Sequence, residues 1–233
     1  MNRAKTALVT GGNRGIGLAI CQGLLAAEFE LILAARSLSK GQAAAKALEP
    51  RGNVRVVELD VADDGSLEKA ANALSEEIDH LDVLINNAGI YPDGDANILT
   101  ISRELLAQTL NTNTFGAVRV TQSLLPLLEK APQGRIINVS SGYGTLDSLS
   151  AGVPSYCLSK LALNGATLML DQALRSRGIA VYGMCPGWVR TEMGGNSAPR
   201  SPQQGADTAI WLATATPAPA SGKFYRDRAV ISY

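Results

Sequence analysis

The sequence contains few of the residues that build disulfide frameworks and metal sites. It has three cysteines and one histidine in 233 residues. Cys21, Cys157 and Cys185 are odd in number, widely spaced and form no C-x-x-C pair, so they predict neither a disulfide framework nor a zinc site and favour a reducing compartment. His80 stands beside Asp79 without a second histidine, which is more typical of a surface residue than of a zinc ligand. We therefore expect no bound metal.

An excess of charge and a long apolar run are also missing. The 21 basic residues balance the 21 acidic ones, so nothing indicates the electrostatic surface of a nucleic-acid-binding protein. No stretch of 18 apolar residues occurs, and the first apolar segment is too short for the core of a signal peptide. The sequence predicts a cytoplasmic protein without nucleic-acid or membrane partners.

Glycine, in contrast, is abundant, with 23 residues in the chain. No Pro-rich and Ser-rich tract accompanies it, so we expect these glycines at backbone positions that only glycine adopts readily. A chain of this length can bury a core of its own, and no linker interrupts it. We predict one domain over residues 1–233.

Short apolar runs alternate with longer helical stretches along the chain. This alternation predicts an α/β protein, a Rossmann-type doubly wound parallel sheet of about seven strands with helices on both faces. The predicted strands are 6–10, 31–35, 54–59, 83–86, 135–140, 179–184 and 223–225. Helices are predicted to begin near Gly15, Lys40, Ser66, Ser102, Ser155 and Pro202.

Two helix starts carry capping signals. Ser39 precedes Gln42 by three residues, and Ser201 precedes Gln204 by three residues with Pro202 at the first helical position. Both patterns predict an N-cap serine.

A glycine cluster directly follows the first predicted strand and opens the first helix. Glycines here allow a tight turn and close approach of a pyrophosphate, which the helix N-terminus attracts. The spacing is G-x-x-x-G-x-G and not the dehydrogenase G-x-G-x-x-G. The lysine of a phosphate-binding loop of ATPases is missing, so a dinucleotide is favoured over ATP. A structural turn without a ligand remains the alternative for this motif alone. Its candidate cofactor-binding residues are Gly11, Asn13, Arg14, Gly15, Ile16 and Gly17.

Two arginines indicate which dinucleotide is bound. The second strand ends at Arg36, where an NAD-binding fold places an Asp or Glu on the ribose 2′-hydroxyl. Arg36, together with Arg14 in the glycine loop, favours a 2′-phosphate, at roughly 1.5 to 3 kcal/mol for each charge-assisted bond. The sequence predicts NADP(H), with solvated loop arginines as the alternative.

Several separate motifs carry a family resemblance. With the glycine loop stand Asn86-Asn87-Ala88-Gly89, Tyr156-x-x-x-Lys160 and Cys185-Pro186-Gly187-Trp188-Val189-Arg190-Thr191, in that order. The chain resembles the short-chain dehydrogenases/reductases from Thr6 to about Gln204. Within that family it looks most like the NADPH-dependent carbonyl reductases.

The resemblance implies a catalytic set. Tyr156 would be the general acid that protonates the substrate carbonyl oxygen. Ser141, rather than Ser140, would form a hydrogen bond to that oxygen. Asn113 would bind a water that links Lys160 to solvent and relays protons. Residues four apart share a helix face. An ammonium at 4 Å and an effective dielectric of 20 is worth about 4 kcal/mol, so Lys160 could lower the pKa of Tyr156 by as much as about three units.

The resemblance also implies further cofactor contacts beside Tyr156 and Lys160. They follow three strand ends and would hold the adenine, the ribose and the nicotinamide. These residues are Asp60, Val61, Asn87, Ala88, Gly89, Pro186, Gly187, Val189 and Thr191. Asn86 is expected to stabilise the sheet instead.

The chain departs from its relatives in two places. Only 14 residues separate Ser141 from Tyr156, so the insertion of monomeric carbonyl reductases is missing, and we expect a homodimer or homotetramer. The segment between Thr191 and Ser201 is also short, which leaves the substrate poorly constrained. The expected pocket walls are Tyr143, Trp188 and Met193.

Together these features predict an NADPH-dependent oxidoreductase that transfers a hydride to a ketone or aldehyde. The alternatives are an alcohol dehydrogenase, a keto-ester or 3-oxoacyl reductase of the same family, or a non-catalytic NADP-binding sensor. A sensor has no need for the four catalytic residues together, so their presence favours an enzyme.

Overall fold

The computed structural model describes residues 3–49 and 52–233. Over these residues the chain forms eight strands and seven α-helices. The strands are β1 (Thr6–Thr10), β2 (Glu30–Ala35), β3 (Val54–Glu58), β4 (Val83–Asn86), β5 (Arg135–Val139), β6 (Ala180–Met184), β7 (Phe224–Arg226) and β8 (Ala229–Ile231). The helices are α1 (Gly15–Ala26), α2 (Leu38–Leu48), α3 (Asp64–Glu77), α4 (Arg103–Leu110), α5 (Gly116–Leu128), α6 (Pro154–Leu174) and α7 (Pro202–Thr214).

All eight strands lie in one sheet, in the order β3-β2-β1-β4-β5-β6-β7-β8. Neighbours from β3 to β7 pair in parallel, and β8 alone runs antiparallel, against β7. The chain steps from β1 outward to β3, then returns to place β4 on the other side of β1. This reversal creates a crevice at the carboxyl ends of β1 and β4, where α/β sheets bind ligands.

Alternate residues of β1 explain why the sheet is covered on both faces. Ala7 and Val9 pack into a core with α1 and α7, whereas Leu8 packs into a core with α3 and α5 on the opposite face. Each of these three side chains is fully buried. Since successive residues of a strand point to opposite faces, an apolar run without alternation requires helices on both sides.

The predicted α/β sheet is confirmed, with one more strand than the seven expected. β8 follows a tight turn at Asp227 and Arg228, which have φ of +52° and +62°. Hairpin turns of this hand usually contain Asn-Gly or Asp-Gly, so this sequence carries no recognisable hairpin signal.

Two local predictions are corrected. Ser37, not Ser39, caps α2, because its backbone is extended and its hydroxyl accepts from Lys40 N at 3.5 Å. The capping box of Ser201 and Gln204 forms as predicted. His80 is buried rather than at the surface, with Nε2 2.9 Å from the Asp82 carboxylate. None of the helices in the described residues combines the length and apolar character needed to cross a membrane.

Candidate active site

The glycine loop between β1 and α1 has the backbone shape that its glycines predict. Gly11 and Gly15 adopt φ of +63° and +55°, a left-handed region that other residues rarely enter. Gly17 is required for close packing, because a Cβ there would lie 2.3 Å from Gly11 O and 2.5 Å from Asn87 Nδ2. The loop is therefore drawn tightly against the start of α1.

The N-terminus of α1 is open to an anion. Its N-cap residue, Arg14, makes no side-chain capping bond, and the first turn contains no acidic residue. Four other helices are capped by serine or aspartate side chains, at Ser37, Asp63, Ser102 and Ser201. Free N–H groups and the positive end of the helix dipole thus face the crevice beside the glycine loop, as phosphate binding requires.

The turn after β4 is tied to this loop. Thr10 Oγ1 accepts from Asn87 N at 2.9 Å and Ala88 N at 3.0 Å, and Asn87 Nδ2 donates to Thr10 O at 2.9 Å. Asn87, Ala88 and Gly89 are partly buried. Asn86 lies apart from them and bonds to Asn138 at 2.9 Å across β4 and β5, which agrees with the predicted role in the sheet.

The two arginines expected at a 2′-phosphate are both exposed. Arg36 follows the carboxyl end of β2, as predicted. The guanidinium of Arg14, however, is ion-paired with Glu192. That pair is solvent-exposed on both sides, and exposed ion pairs contribute about 0 to 1 kcal/mol, so a phosphate could displace it.

The remaining predicted cofactor residues lie in the glycine loop and after the carboxyl ends of β3 and β6. Asp60 and Val61 follow β3, where Asp60 Oδ1 accepts from Ala62 N at 3.0 Å. Thr191 comes close to the glycine loop, with Cγ2 3.2 Å from the position of a Cβ on Gly15. Asn13 lies in the glycine loop and Ile16 in the first turn of α1, and both are partly exposed. Pro186 and Gly187 follow β6 and are also partly exposed. Val189, between Gly187 and Thr191, is buried.

Ser141 and Tyr156 meet at the carboxyl end of β5. The Ser141 hydroxyl lies near enough to the Tyr156 phenol to lower the pKa of that phenol, and it accepts from Tyr143 N at 3.2 Å. Ser140 is buried and its hydroxyl points to Lys160 O at 3.4 Å. The structure thus brings Ser141 and Tyr156 together and turns Ser140 away.

Lys160 lies one helical turn beyond Tyr156 and is buried. Its Nζ is 5.6 Å from the centre of the Tyr156 ring and donates to Val139 O at 2.8 Å. Burial lowers the Lys160 pKa to about 8, because the ammonium form loses its hydration. The ammonium form still predominates at neutral pH.

The pKa of Tyr156 moves in the opposite direction to the sequence prediction. Burial raises it above its ordinary value of about 10, and this effect outweighs the nearby Ser141 hydroxyl, which lowers it. The predicted lowering assumed that the Lys160 ammonium points at the phenol, whereas Nζ is held by Val139 O. The phenol therefore keeps its proton at neutral pH.

Asn113 lies in a π-helical turn, Asn111–Phe115, between α4 and α5. Such turns are rare and occur often at functional sites. Asn113 is buried, accepts from Ile90 N at 2.8 Å, and donates to Ile90 O at 2.9 Å and Ser159 Oγ at 3.0 Å. Both amide hydrogens are thus occupied, and a bound water would have to use the second lone pair of Oδ1 or the main chain.

The expected pocket walls are exposed around this site. Tyr143, Trp188 and Met193 expose roughly half of their surface. The Tyr143 ring lies edge-on to the Tyr156 ring at 6.5 Å, and Trp188 Nε1 donates to Gly194 O at 2.8 Å. Tyr143 therefore lies beside the hydroxyls of Ser141 and Tyr156, whereas Trp188 packs on the loop after β6.

Three residues near the site were missed by sequence reasoning. Tyr91 packs edge-on against Tyr156 with ring centres 4.8 Å apart. Cys185 Sγ accepts from Gly142 N at 3.2 Å and from Arg226 Nη2 at 2.9 Å, so it ties the loop after Ser141 to β7. Asp93 contacts the start of α6. Their positions depend on tertiary folding, and no local pattern marks them.

Comparisons with known proteins agree with this geometry. The family model for short chain dehydrogenase matches residues 5–201. The chain is 34% identical to carbonyl reductase (NADPH) 1 of Homo sapiens, with 91% of each chain covered. It is 35% identical to a short-chain dehydrogenase of Penicillium roqueforti, with 89% of this chain and 87% of the relative covered.

A solved structure shows the same fold. The NADPH-bound carbonyl reductase from chicken fatty liver superimposes with a TM-score of 0.90 at 30% identity, over 99% of this chain and 100% of that chain. The alignment with the human relative runs over 257 positions, more than the 233 residues of this chain, so that relative contains residues missing here.

Proposed function

The chain belongs to the short-chain dehydrogenase family, and we propose that it is an NADPH-dependent carbonyl reductase that converts a ketone or aldehyde to an alcohol. The observation that carries the proposal is the meeting of Ser141, Tyr156 and Lys160 in a structure whose helix α1 also has an uncapped N-terminus after the glycine loop. The relatives named carbonyl reductases support the reaction class, an NADP-dependent oxidoreduction between C=O and CH–OH.

The crevice fits a dinucleotide. The tight turn at Gly11, the close packing at Gly17 and the uncapped start of α1 leave N–H groups for a pyrophosphate. NADPH, when bound, supplies the hydride that adds to the carbonyl carbon. We assign its phosphates to the glycine loop, its 2′-phosphate to Arg36 and Arg14, and its ribose and nicotinamide to the turns after β4 and β6.

Four residues would handle the substrate oxygen and its proton. Ser141 would donate a hydrogen bond to the carbonyl oxygen, and Tyr156 would transfer its phenolic proton to that oxygen as the carbon is reduced. The raised pKa of Tyr156 keeps the phenol in the acid form needed for this direction. Lys160 would stabilise the resulting phenolate by its charge, and Asn113 would orient the segment around it.

The preference for NADPH over NADH rests on Arg36 and on the lack of a carboxylate at the end of β2. Fluorescence titration with the two cofactors tests it. We expect markedly tighter binding of NADPH, and equal affinities would contradict the assignment.

The remaining assignments extend the proposal. We propose a single cofactor-binding domain over residues 1–233, located in the cytoplasm and assembled as a homodimer or homotetramer. Exposed apolar side chains on the helices around the site, Phe115, Leu168 and Met169, support subunit packing. A monomeric mass by light scattering would contradict the assembly.

The deciding experiment is NADPH oxidation with a panel of aldehydes, ketones, diketones, quinones and keto esters. Tyr156→Phe removes the phenolic proton, so we expect turnover to be lost while NADPH binding stays nearly unchanged. Tyr182→Phe is the matched control, because that hydroxyl bonds Pro219 O in the core away from the site. Retained turnover in Tyr156→Phe would refute the assigned role, and NADPH binding without turnover in the wild type would favour a sensor.

A further inference from the structure

The start of α6, the helix that carries Tyr156 and Lys160, has no capping side chain of its own. Its N-cap residue, Val153, makes no side-chain bond, and Pro154 at the first position has no N–H. Cys157 N already bonds to Val153 O at 3.1 Å. The N–H groups that need a partner are therefore those of Ser155 and Tyr156.

Both of these groups donate to Asp93, which lies in the segment after β4. Its Oδ1 accepts from Ser155 N at 2.8 Å, and its Oδ2 accepts from Tyr156 N at 3.1 Å and from Ser155 Oγ at 3.0 Å. A carboxylate from a segment 62 residues earlier thus does what an N-cap side chain normally does. One of its bonds is made to the backbone of the proposed general acid itself.

The buried environment of Asp93 strengthens these hydrogen bonds. Asp93 is only 3% exposed. Among the residues in the described ranges, none of the ion pairs joins it to a lysine or arginine. Its charge is offset by the N–H groups and the positive end of the α6 dipole, in surroundings where charge-assisted bonds are strong.

The segment that carries Asp93 is also fixed at its other end. Ile90 is bonded through both its N–H and its carbonyl to Asn113. Between these two attachments Tyr91 packs against the ring of Tyr156, with ring planes at 88°. Residues 90–93 thus connect the π-helical turn to the backbone and ring of Tyr156.

We propose that Asp93 is a positioning residue for the reaction. By holding the first turn of α6, Asp93 fixes the position and orientation of the Tyr156 side chain relative to Ser141. This inference rests on the proposed function. It assigns Asp93 no contact with substrate or cofactor. Because a displacement of about 1 Å can cost about 100-fold in rate, a loosened first turn should reduce turnover rather than cofactor binding.

The test compares Asp93→Asn and Asp93→Ala with the control Asp95→Asn. Asparagine has nearly the shape of aspartate but replaces one carboxylate oxygen by an NH2 group, so one of the two backbone N–H groups loses the oxygen that accepts from it in the wild type. Asp95 is an exposed carboxylate in the same segment. Turnover and KM for NADPH are measured well below the unfolding temperature, and amide hydrogen exchange is followed at Ser155 and Tyr156.

We expect kcat to fall about 10-fold or more in Asp93→Asn and further in Asp93→Ala, with KM for NADPH within about twofold. Exchange should accelerate at the Ser155 and Tyr156 amides and stay unchanged in the strands, and Asp95→Asn should match the wild type. Faster exchange with unchanged kcat would overturn the positioning role, as would unchanged exchange.

The proposed function can fail separately. In that case the wild type and Asp95→Asn would bind NADPH but reduce no carbonyl compound. The exchange measurement would still decide whether Asp93 holds the Tyr156 amide.

Discussion

Replacing Lys160 by methionine should remove activity and at the same time change how stability depends on pH. Methionine has a similar length and is apolar, so it can occupy the buried path of the lysine chain. The wild-type lysine is only 4% exposed and its pKa is lowered to about 8 by burial, from an ordinary value of about 10.5. One pKa unit corresponds to about 1.4 kcal/mol, so a charged Lys160 costs the folded state about 3 kcal/mol at neutral pH.

The direction of the pH effect follows from proton binding. Between pH 8 and about 10.5 the unfolded chain keeps a proton on this lysine that the folded chain has released. Wild-type stability should therefore rise with pH through that window, by about 2 kcal/mol between pH 7.5 and 9.5. Lys160→Met should lack this rise. At pH 7.5 the methionine variant avoids the free-energy cost of burying an ammonium group. It also leaves Val139 O without its donor, which costs about 1 to 3 kcal/mol. The free energy of unfolding of Lys160→Met should therefore equal or slightly exceed that of the wild type.

Urea unfolding at several pH values measures this difference directly. Comparing the two proteins at each pH removes the contribution of groups that they share, and staying below pH 9.5 avoids the tyrosines whose pKa values burial raises. Lys130→Met, at an exposed lysine, is the control that should run parallel to the wild type. Parallel curves for Lys160→Met and wild type would refute the assignment of a costly buried ammonium.

Two further outcomes concern the cofactor crevice. Gly17→Ala places a methyl group against Gly11 O and Asn87 Nδ2, so the loop must move. NADPH affinity, measured by fluorescence titration, should fall about 10-fold to 100-fold. Unchanged affinity would show that the loop does not hold phosphate. Glu192→Gln removes the carboxylate that pairs with the Arg14 guanidinium, so NADPH should bind up to about fivefold tighter. The affinity for NADH should stay the same. An equal gain for both cofactors would contradict the assignment of Arg14 to the 2′-phosphate.

The fold could be predicted from sequence because the relevant signals are local. An apolar strand such as Thr6–Thr10, followed by a glycine turn and a helix, is a pattern typical of a parallel sheet that helices cover on both faces. The strand bounds agree within one residue for the same reason. β8 was missed because its turn at Asp227 and Arg228 uses positive φ without glycine.

The sequence predicted which residues form the candidate site, but it did not predict the direction of the Tyr156 pKa shift. The family resemblance implied that Ser141, Tyr156 and Lys160 share one site, and the structure brings them together. The sign of the Tyr156 pKa shift was wrong because spacing along a helix gives proximity but not direction. The Lys160 ammonium turns toward Val139 O, and burial then outweighs the charge.

The same limit explains why Asp93 carried no signal. Nothing near Pro154 in the sequence shows that the helix lacks a cap, because Ser155 looks like a capping residue and its hydroxyl is in fact a donor to Asp93. A missing local cap becomes visible only when each N–H of the first turn is assigned a partner in three dimensions. Since the first turn of α6 also carries Tyr156, the group that completes its hydrogen bonding also limits how far the phenol can move from Ser141.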